Sequence, residues 1–165
     1  RKGSGTKGVF IDGPQEWHGD QYKKTIKDLG LNFKIQYAKS ADELWKELYD
    51  AKENNQAIVI FNWSPNFTDA EGFTMIKWPK YYSGCRPEDG GSGACGSPSG
   101  WLKKAASSKF ANQHPNAFNV FKKISFTTKD MGKMAYYVDV EKMTYQDAAK
   151  KWLSKNGKSL LRYFG

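Results

Sequence analysis

From residue 8 to residue 61 the chain alternates strand and helix signals in the order β-α-β-α-β, and few folds accept that order. "KGVFIDG" is a short apolar run that stops at a Gly-Pro turn, and a helix is predicted from about residue 19 to residue 29. "LNFKIQYA" alternates apolar and polar residues, the period of a half-buried strand. "SADELWKELYDAKENN" opens with Ser40 as N-cap and Glu43 three residues on, a capping box, and carries Ala41, Leu44, Trp45, Leu48 and Tyr49 on one helical face. The apolar run 57–61 reads as a buried strand, and "FTMIKWP" as a further one. Strands separated by helices predict an α/β fold, a mostly parallel sheet covered by helices.

The second part of the chain reads differently. Residues 79–100 form a loop rich in Gly, Ser and Pro. Amphipathic helices follow in "NAFNVFKKI", with Pro115 suited to a first helical turn, in "TTKDMGKMAYYVDV" and in "TYQDAAKKWLSKNGKSLLRYF". The last two each open on a threonine cap with an acidic residue nearby. This tail has no sheet of its own and needs something to pack on.

Composition narrows the classes. With 165 residues the chain can bury a real core. The mean hydropathy is −0.74, and no apolar run of about 18 residues exists to span a bilayer. The first residues, "RKGSGTKGVF", lack a methionine and an apolar signal core; they read as joining a fold midway, so a mature piece or a fragment is expected. The net charge is +9, but the lysines are spread over predicted helix faces and the only arginines are Arg1, Arg86 and Arg162. A solvated basic surface therefore fits better than a nucleic-acid footprint.

Cys85 and Cys95 bracket the loop "CRPEDGGSGAC". Two cysteines do not make a metal site, but the even count and short loop suit a disulfide, which would stabilise by roughly 2–3 kcal/mol. That points to an oxidising compartment such as a periplasm; two free cytosolic thiols are the alternative. "GSGACG" matches the spacing of a dinucleotide loop without its strand and helix. His18 and His114 are too few and too scattered for a metal site or a triad. The acids Asp69, Glu71, Glu88 and Asp89 could offer oxygens to Ca²⁺, but they match no known loop spacing and read as solvated acids.

Ligands of open α/β sheets bind beyond the carboxyl ends of strands. Two such ends carry a tryptophan, Trp17 in "VFIDGPQEWHG" and Trp63 in "IVIFNWSPNF", both in polar turns. Trp45 and Trp152 lie on helical faces and are assigned to the core, while Trp78 and Trp101 flank the long loop. Indole is the best cation–π partner, and aromatic cages are how proteins hold quaternary ammonium groups. Each wall gives roughly 0.5–2 kcal/mol, whereas micromolar binding requires about 8 kcal/mol. Two walls fall short, so a third aromatic and donors for an anionic end are needed. His18, Gly19 and Asn66 are the nearest candidates.

These segments resemble a known family. "AIVIFNWSPNF" resembles the strand-plus-"W-[ST]-P" segment of substrate-binding proteins for glycine betaine and related solutes, which serve ABC importers of the OpuAC/ProX type. "DGPQEWHG" resembles the segment of that family carrying another cage tryptophan. The stretch from "SGWLKKAASSKF" to "DAAKKWLSKN" resembles its C-terminal part, a return strand followed by helices. The resemblance covers nearly all of this chain and about the second half of a family member.

It implies a type II periplasmic-binding fold, with residues 1–104 as one α/β lobe and 105–165 as helices completing a second lobe, most of which lies outside this chain. It implies that Trp17 and Trp63 are cage walls, that the His18 and Gly19 amides hold a carboxylate, and that Pro65 and Asn66 complete the second turn. Asn66 stands where several betaine binders have histidine. The cysteine-closed loop resembles that of marine members that bind trimethylamine N-oxide, some with a structural Ca²⁺.

The function implied is a solute-binding subunit, not an enzyme, with no catalytic residues and no cofactor. It would capture a methylated amine for an ABC permease, in the periplasm or exported and membrane-associated, as a monomer when complete. The rivals are a basic module for nucleic acid or anionic surfaces and an enzyme with Cys85 as nucleophile.

Overall fold

A computed structural model describes residues 7–100 and 102–160, so Trp101 lies outside the described residues. Two compact units form: one from 1–62 with 76–99, the other from 63–75 with 100–165.

The first unit is built on three parallel strands, β1 (Gly8–Asp12), β2 (Phe33–Tyr37) and β3 (Val59–Ile60), in the order β2-β1-β3. The register pairs Gly8 with Phe33 through Asp12 with Tyr37, and Phe10 with Val59. Its helices are α1 (Gln15–His18), α2 (Gln21–Asp28) and α3 (Ala41–Glu53). The central strand β1 is buried from Val9 to Asp12, whereas β2 exposes Lys34 and Gln36, as its alternation predicts. Val9, Ile11, Ala38 and Leu44 form the core, with Trp45, Ile58, Ile60 and Phe61 packed against it. Ile11 and Leu44 are fully buried, each removing apolar area that stabilises by roughly 1.5–3 kcal/mol.

Several boundaries move from the sequence expectation. The helix foreseen over about 19–29 forms as α2, Gln21–Asp28, and a single turn, α1, that was not foreseen precedes it across Gly19 and Asp20. The buried strand 57–61 shortens to Val59–Ile60 at half-buried positions, with the Phe61 amide adding one bond to the Ile11 carbonyl at 2.7 Å. "FTMIKWP" forms no strand. A strand requires a partner edge, and Met75 and Ile76 are exposed instead. The α3 cap is half as foreseen: the Ser40 hydroxyl accepts the Glu43 amide at 3.1 Å, but the Glu43 carboxylate takes the Lys39 amide rather than that of Ser40.

The loop 79–100 is irregular apart from one short helical turn, Pro87–Asp89. Cys85 and Cys95 are disulfide-bonded and buried. That removes the alternative of free thiols and with it the reading of Cys85 as a nucleophile. The Thr25 hydroxyl donates to the Gly93 carbonyl at 2.6 Å, tying the loop to α2.

The second unit holds α4 (Ser108–Gln113), α5 (Pro115–Lys123), α6 (Thr128–Asp139) and α7 (Tyr145–Leu160). Pro115 opens α5, and Thr127 with Asp130 makes a reciprocal capping box on α6. Thr144 caps the start of α7 by accepting the Asp147 amide at 3.1 Å. α4 was not anticipated; the Ser107 hydroxyl caps it by accepting the Phe110 amide. The return strand expected near "LKKAAS" is absent, since residues 102–107 are irregular. Tyr137, Ala148 and Trp152 form this unit's core, with Phe126 edge-on to Trp152 at 5.5 Å.

Candidate ligand-binding site

In the first unit the site grows from the end of β1. Asp12 closes the strand with 1% of its surface exposed. Its Oδ1 accepts the Gly13 amide at 2.8 Å and lies 3.2 Å from His18 Nδ1. Its Oδ2 is buried, with no hydrogen-bond partner among the described residues. Burial pushes the Asp12 carboxyl above its ordinary 3.8, against the opposing pull of the Gly13 amide and His18.

Gly13 then lets α1 pass close by. A Cβ on Gly13 would sit 2.4 Å from the Trp17 ring, so a residue with no side chain is needed there. The helical turn places Trp17 and His18 beside an aromatic cluster. His18 packs on Phe61 at 4.3 Å and edge-on to Tyr22 at 5.2 Å. Tyr22 meets Phe10 at 5.4 Å, Phe61 at 5.7 Å and Trp78 at 6.1 Å. Trp17 is edge-on to Phe61 at 6.3 Å and remains 42% exposed. Gly19 ends the turn with its amide donating to the Gln15 carbonyl at 2.7 Å, and its carbonyl accepts the Tyr37 hydroxyl.

The second tryptophan turn belongs to the other unit. Trp63 is 40% exposed and precedes Ser64 and a cis-Pro65. Asn66 is buried, and its Oδ1 accepts both the Thr68 amide at 2.8 Å and the Thr68 hydroxyl at 2.6 Å. Asp69 Oδ2 accepts the Ser64 hydroxyl at 2.9 Å and the Asn66 amide at 2.8 Å, so Asn66 and Asp69 box the helical turn Phe67–Ala70. That turn lies against α6, where a Cβ on Gly132 would be 2.9 Å from both the Asn66 carbonyl and Asp69 Cβ. The Asn66 side-chain oxygen and the Asp69 carboxylate thus serve the turn itself.

Trp17, His18 and Gly19 come together on one turn, and Trp63, Pro65 and Asn66 on another. Sequence reading missed Asp12, Tyr22 and Phe61 as neighbours of His18, and Phe10 and Trp78 as neighbours of Tyr22. Trp78, left open between loop and core, is part of this cluster. Glu88 pairs with Arg86 at 2.9 Å, and no three His, Cys, Asp or Glu side chains converge as a metal-holding group among the described residues.

A parallel sheet with aromatic side chains gathered beyond its central strand defines an α/β ligand-binding fold. The crystal structure of lactococcal OpuAC, closed and complexed with glycine betaine, matches with a TM-score of 0.51 at 21% identity, over 94% of this chain and 57% of that one. This shows the fold, a part of the type II periplasmic-binding architecture. Residues 2–155 match the family "Substrate binding domain of ABC-type glycine betaine transport system", OpuAC, and the chain belongs to that family of transport proteins, which are not enzymes. It is 54% identical over 155 residues to the trimethylamine N-oxide-binding protein of Pelagibacter ubique (strain HTCC1062), covering 93% of this chain. It spans 49% of that relative's length.

Proposed function

We propose that this chain is the ligand-capturing part of an exported solute-binding protein, which takes up a methylated amine osmolyte and delivers it to an ABC permease. Trimethylamine N-oxide and glycine betaine are the candidate ligands, held in an aromatic cage as two lobes close around it.

The observation that carries it is the half-exposed Trp17 against the rings of His18 and Phe61 beyond β1, with Tyr22 joining those two rings to Trp78. A trimethylated nitrogen donates no hydrogen bond, so electron-rich ring faces are the chemistry open to it. Trp63, beside the turn that the Asp69 carboxylate closes by accepting the Ser64 hydroxyl and the Asn66 amide, is the proposed second wall. The 54% identical relative is itself named for binding trimethylamine N-oxide. Closure around the ligand follows from the ligand binding the closed state more tightly than the open one.

Tryptophan-fluorescence titration of the full-length protein with trimethylamine N-oxide, glycine betaine and choline, at low and high salt, tests this reading. Saturable quenching that ignores salt is expected, because capture in a closed aromatic box involves no counterion release. Steep salt dependence together with binding to polyanions would instead favour the basic-surface module. Trp63→Ala is expected to weaken binding by at least about tenfold; unchanged affinity would remove Trp63 from the site.

A further inference from the structure

Asp12 and His18 form a pair that the aromatic cage does not use. We infer that the His18 side chain, backed by Asp12, is a proton-dependent donor to the anionic oxygen of a zwitterionic ligand, whether N-oxide or carboxylate. This deepens the reading above and rests on it.

The argument is one of proton counting. His18 Nδ1 is engaged with Asp12 Oδ1 at 3.2 Å, and Nε2 makes no hydrogen bond among the described residues. The ring lies beside the half-exposed Trp17, and its own side chain is 19% exposed. When Asp12 is ionised and His18 neutral, the proton sits on Nδ1, facing the carboxylate, and Nε2 presents a lone pair that repels an anionic oxygen. Nε2 becomes a donor in two arrangements, imidazolium beside carboxylate or neutral imidazole beside protonated carboxyl. Both hold one proton more than the ionised Asp12 with neutral His18. Binding an oxyanion at Nε2 therefore takes up one proton, whichever member of the pair carries it.

Burial favours that extra proton, against the Gly13 amide, which donates to Asp12 Oδ1 and favours the carboxylate. Asp12 is buried at the strand end with Oδ2 unpartnered among the described residues, and its burial pushes the carboxyl upward. Tyr22 on α2 faces the ring, with burial holding its phenol above the ordinary 10.0 and so neutral. Other charges acting on this corner are Arg86 of the disulfide loop, itself paired with Glu88, and Asp20, which adds to burial in raising Tyr37. Apart from Arg86, none of these charges opposes protonation.

The test is calorimetric titration of the full-length protein between about pH 6 and about pH 9, in buffers of different protonation heat. Trimethylamine N-oxide and glycine betaine are expected to bind with uptake approaching one proton, and with affinity falling by up to about tenfold per pH unit at the alkaline end. Choline has a cation and a hydroxyl but no anionic oxygen, and its affinity should not fall as pH rises. In His18→Gln, whose amide donor does not titrate, the pH slope for the zwitterions should vanish. Tight zwitterion binding without proton uptake would overturn this inference and leave the solute-binding reading standing. Failure of all three ligands to bind would overturn both.

Discussion

The two tryptophan turns look alike in sequence, yet the structure uses them in opposite ways. In "DGPQEWHG" the polar atoms are left partly unspent: among the described residues neither Asp12 Oδ2 nor His18 Nε2 has a hydrogen-bond partner. In "NWSPNFTD" the polar atoms are consumed locally, with Asn66 Oδ1 and Asp69 Oδ2 each accepting two hydrogen bonds. A turn whose bonds are closed on themselves is a rigid mount. A turn holding a buried, under-bonded carboxylate is poised to respond to a ligand or a proton.

Two glycines, each blocked by a neighbour, put that contrast at risk in different ways. Gly132→Val drives a side chain into the Asn66 carbonyl and Asp69 Cβ, neither of which can swing aside. The expected loss is about 3 kcal/mol in urea unfolding, with the Trp63 turn pushed off α6. Gly13→Ala drives its methyl into the Trp17 ring, which is 42% exposed and has solvent on one side to shift towards. Stability should fall by under about 1 kcal/mol, while ligand affinity drops about tenfold because Trp17 is displaced. Equal stability losses in the two variants would mean that the two turns are equally rigid.

A smaller effect separates the units by pH. Asp12 has its folded pKa raised by burial, so its contribution to stability is fully present below 3.8 and is lost as pH rises through the folded value. Asp130 at the α6 cap is lowered from 3.8 mainly by the Thr127 hydroxyl, so its contribution is present above 3.8 and is lost as pH falls. Asp12→Asn removes the first dependence. It keeps an oxygen for the Gly13 amide and is expected to stabilise by about 1 kcal/mol at neutral pH and by less in acid. Thermal melts across that range check the sign; destabilisation at neutral pH would show that the pair with His18 outweighs burial.

What the sequence made legible was local. Ser40, Thr127 and Thr144 cap helices by bonding residues three positions on, and the parallel alternation of the first unit follows from short runs with distinct periods. The failures came from partners distant in the chain. "FTMIKWP" has the alternation of a strand but no edge to pair with, and Trp78 joins Tyr22 instead. The pairing of Asp12 with His18 depends on how α1 turns back after Pro14, which no periodicity reports. "NFTD" could have been read as a capping box, since Asn66 and Asp69 stand three apart; reading one as a ligand residue and the other as a solvated acid obscured it.

The first unit is also not a continuous stretch of chain, and this sets an order on its assembly. Its sheet is complete by Ile60, but the chain departs into the other unit from 63 to 75 before supplying Trp78 and the disulfide loop. The bond that fastens α2 to that loop, Thr25 to Gly93, spans 68 residues, whereas the disulfide closes a separation of only 10. Contacts of long separation bear the larger closure entropy. As the polypeptide emerges from synthesis, the scaffold exists before the aromatic cluster does, and the surface proposed to hold the ligand is the last part of the unit to be finished.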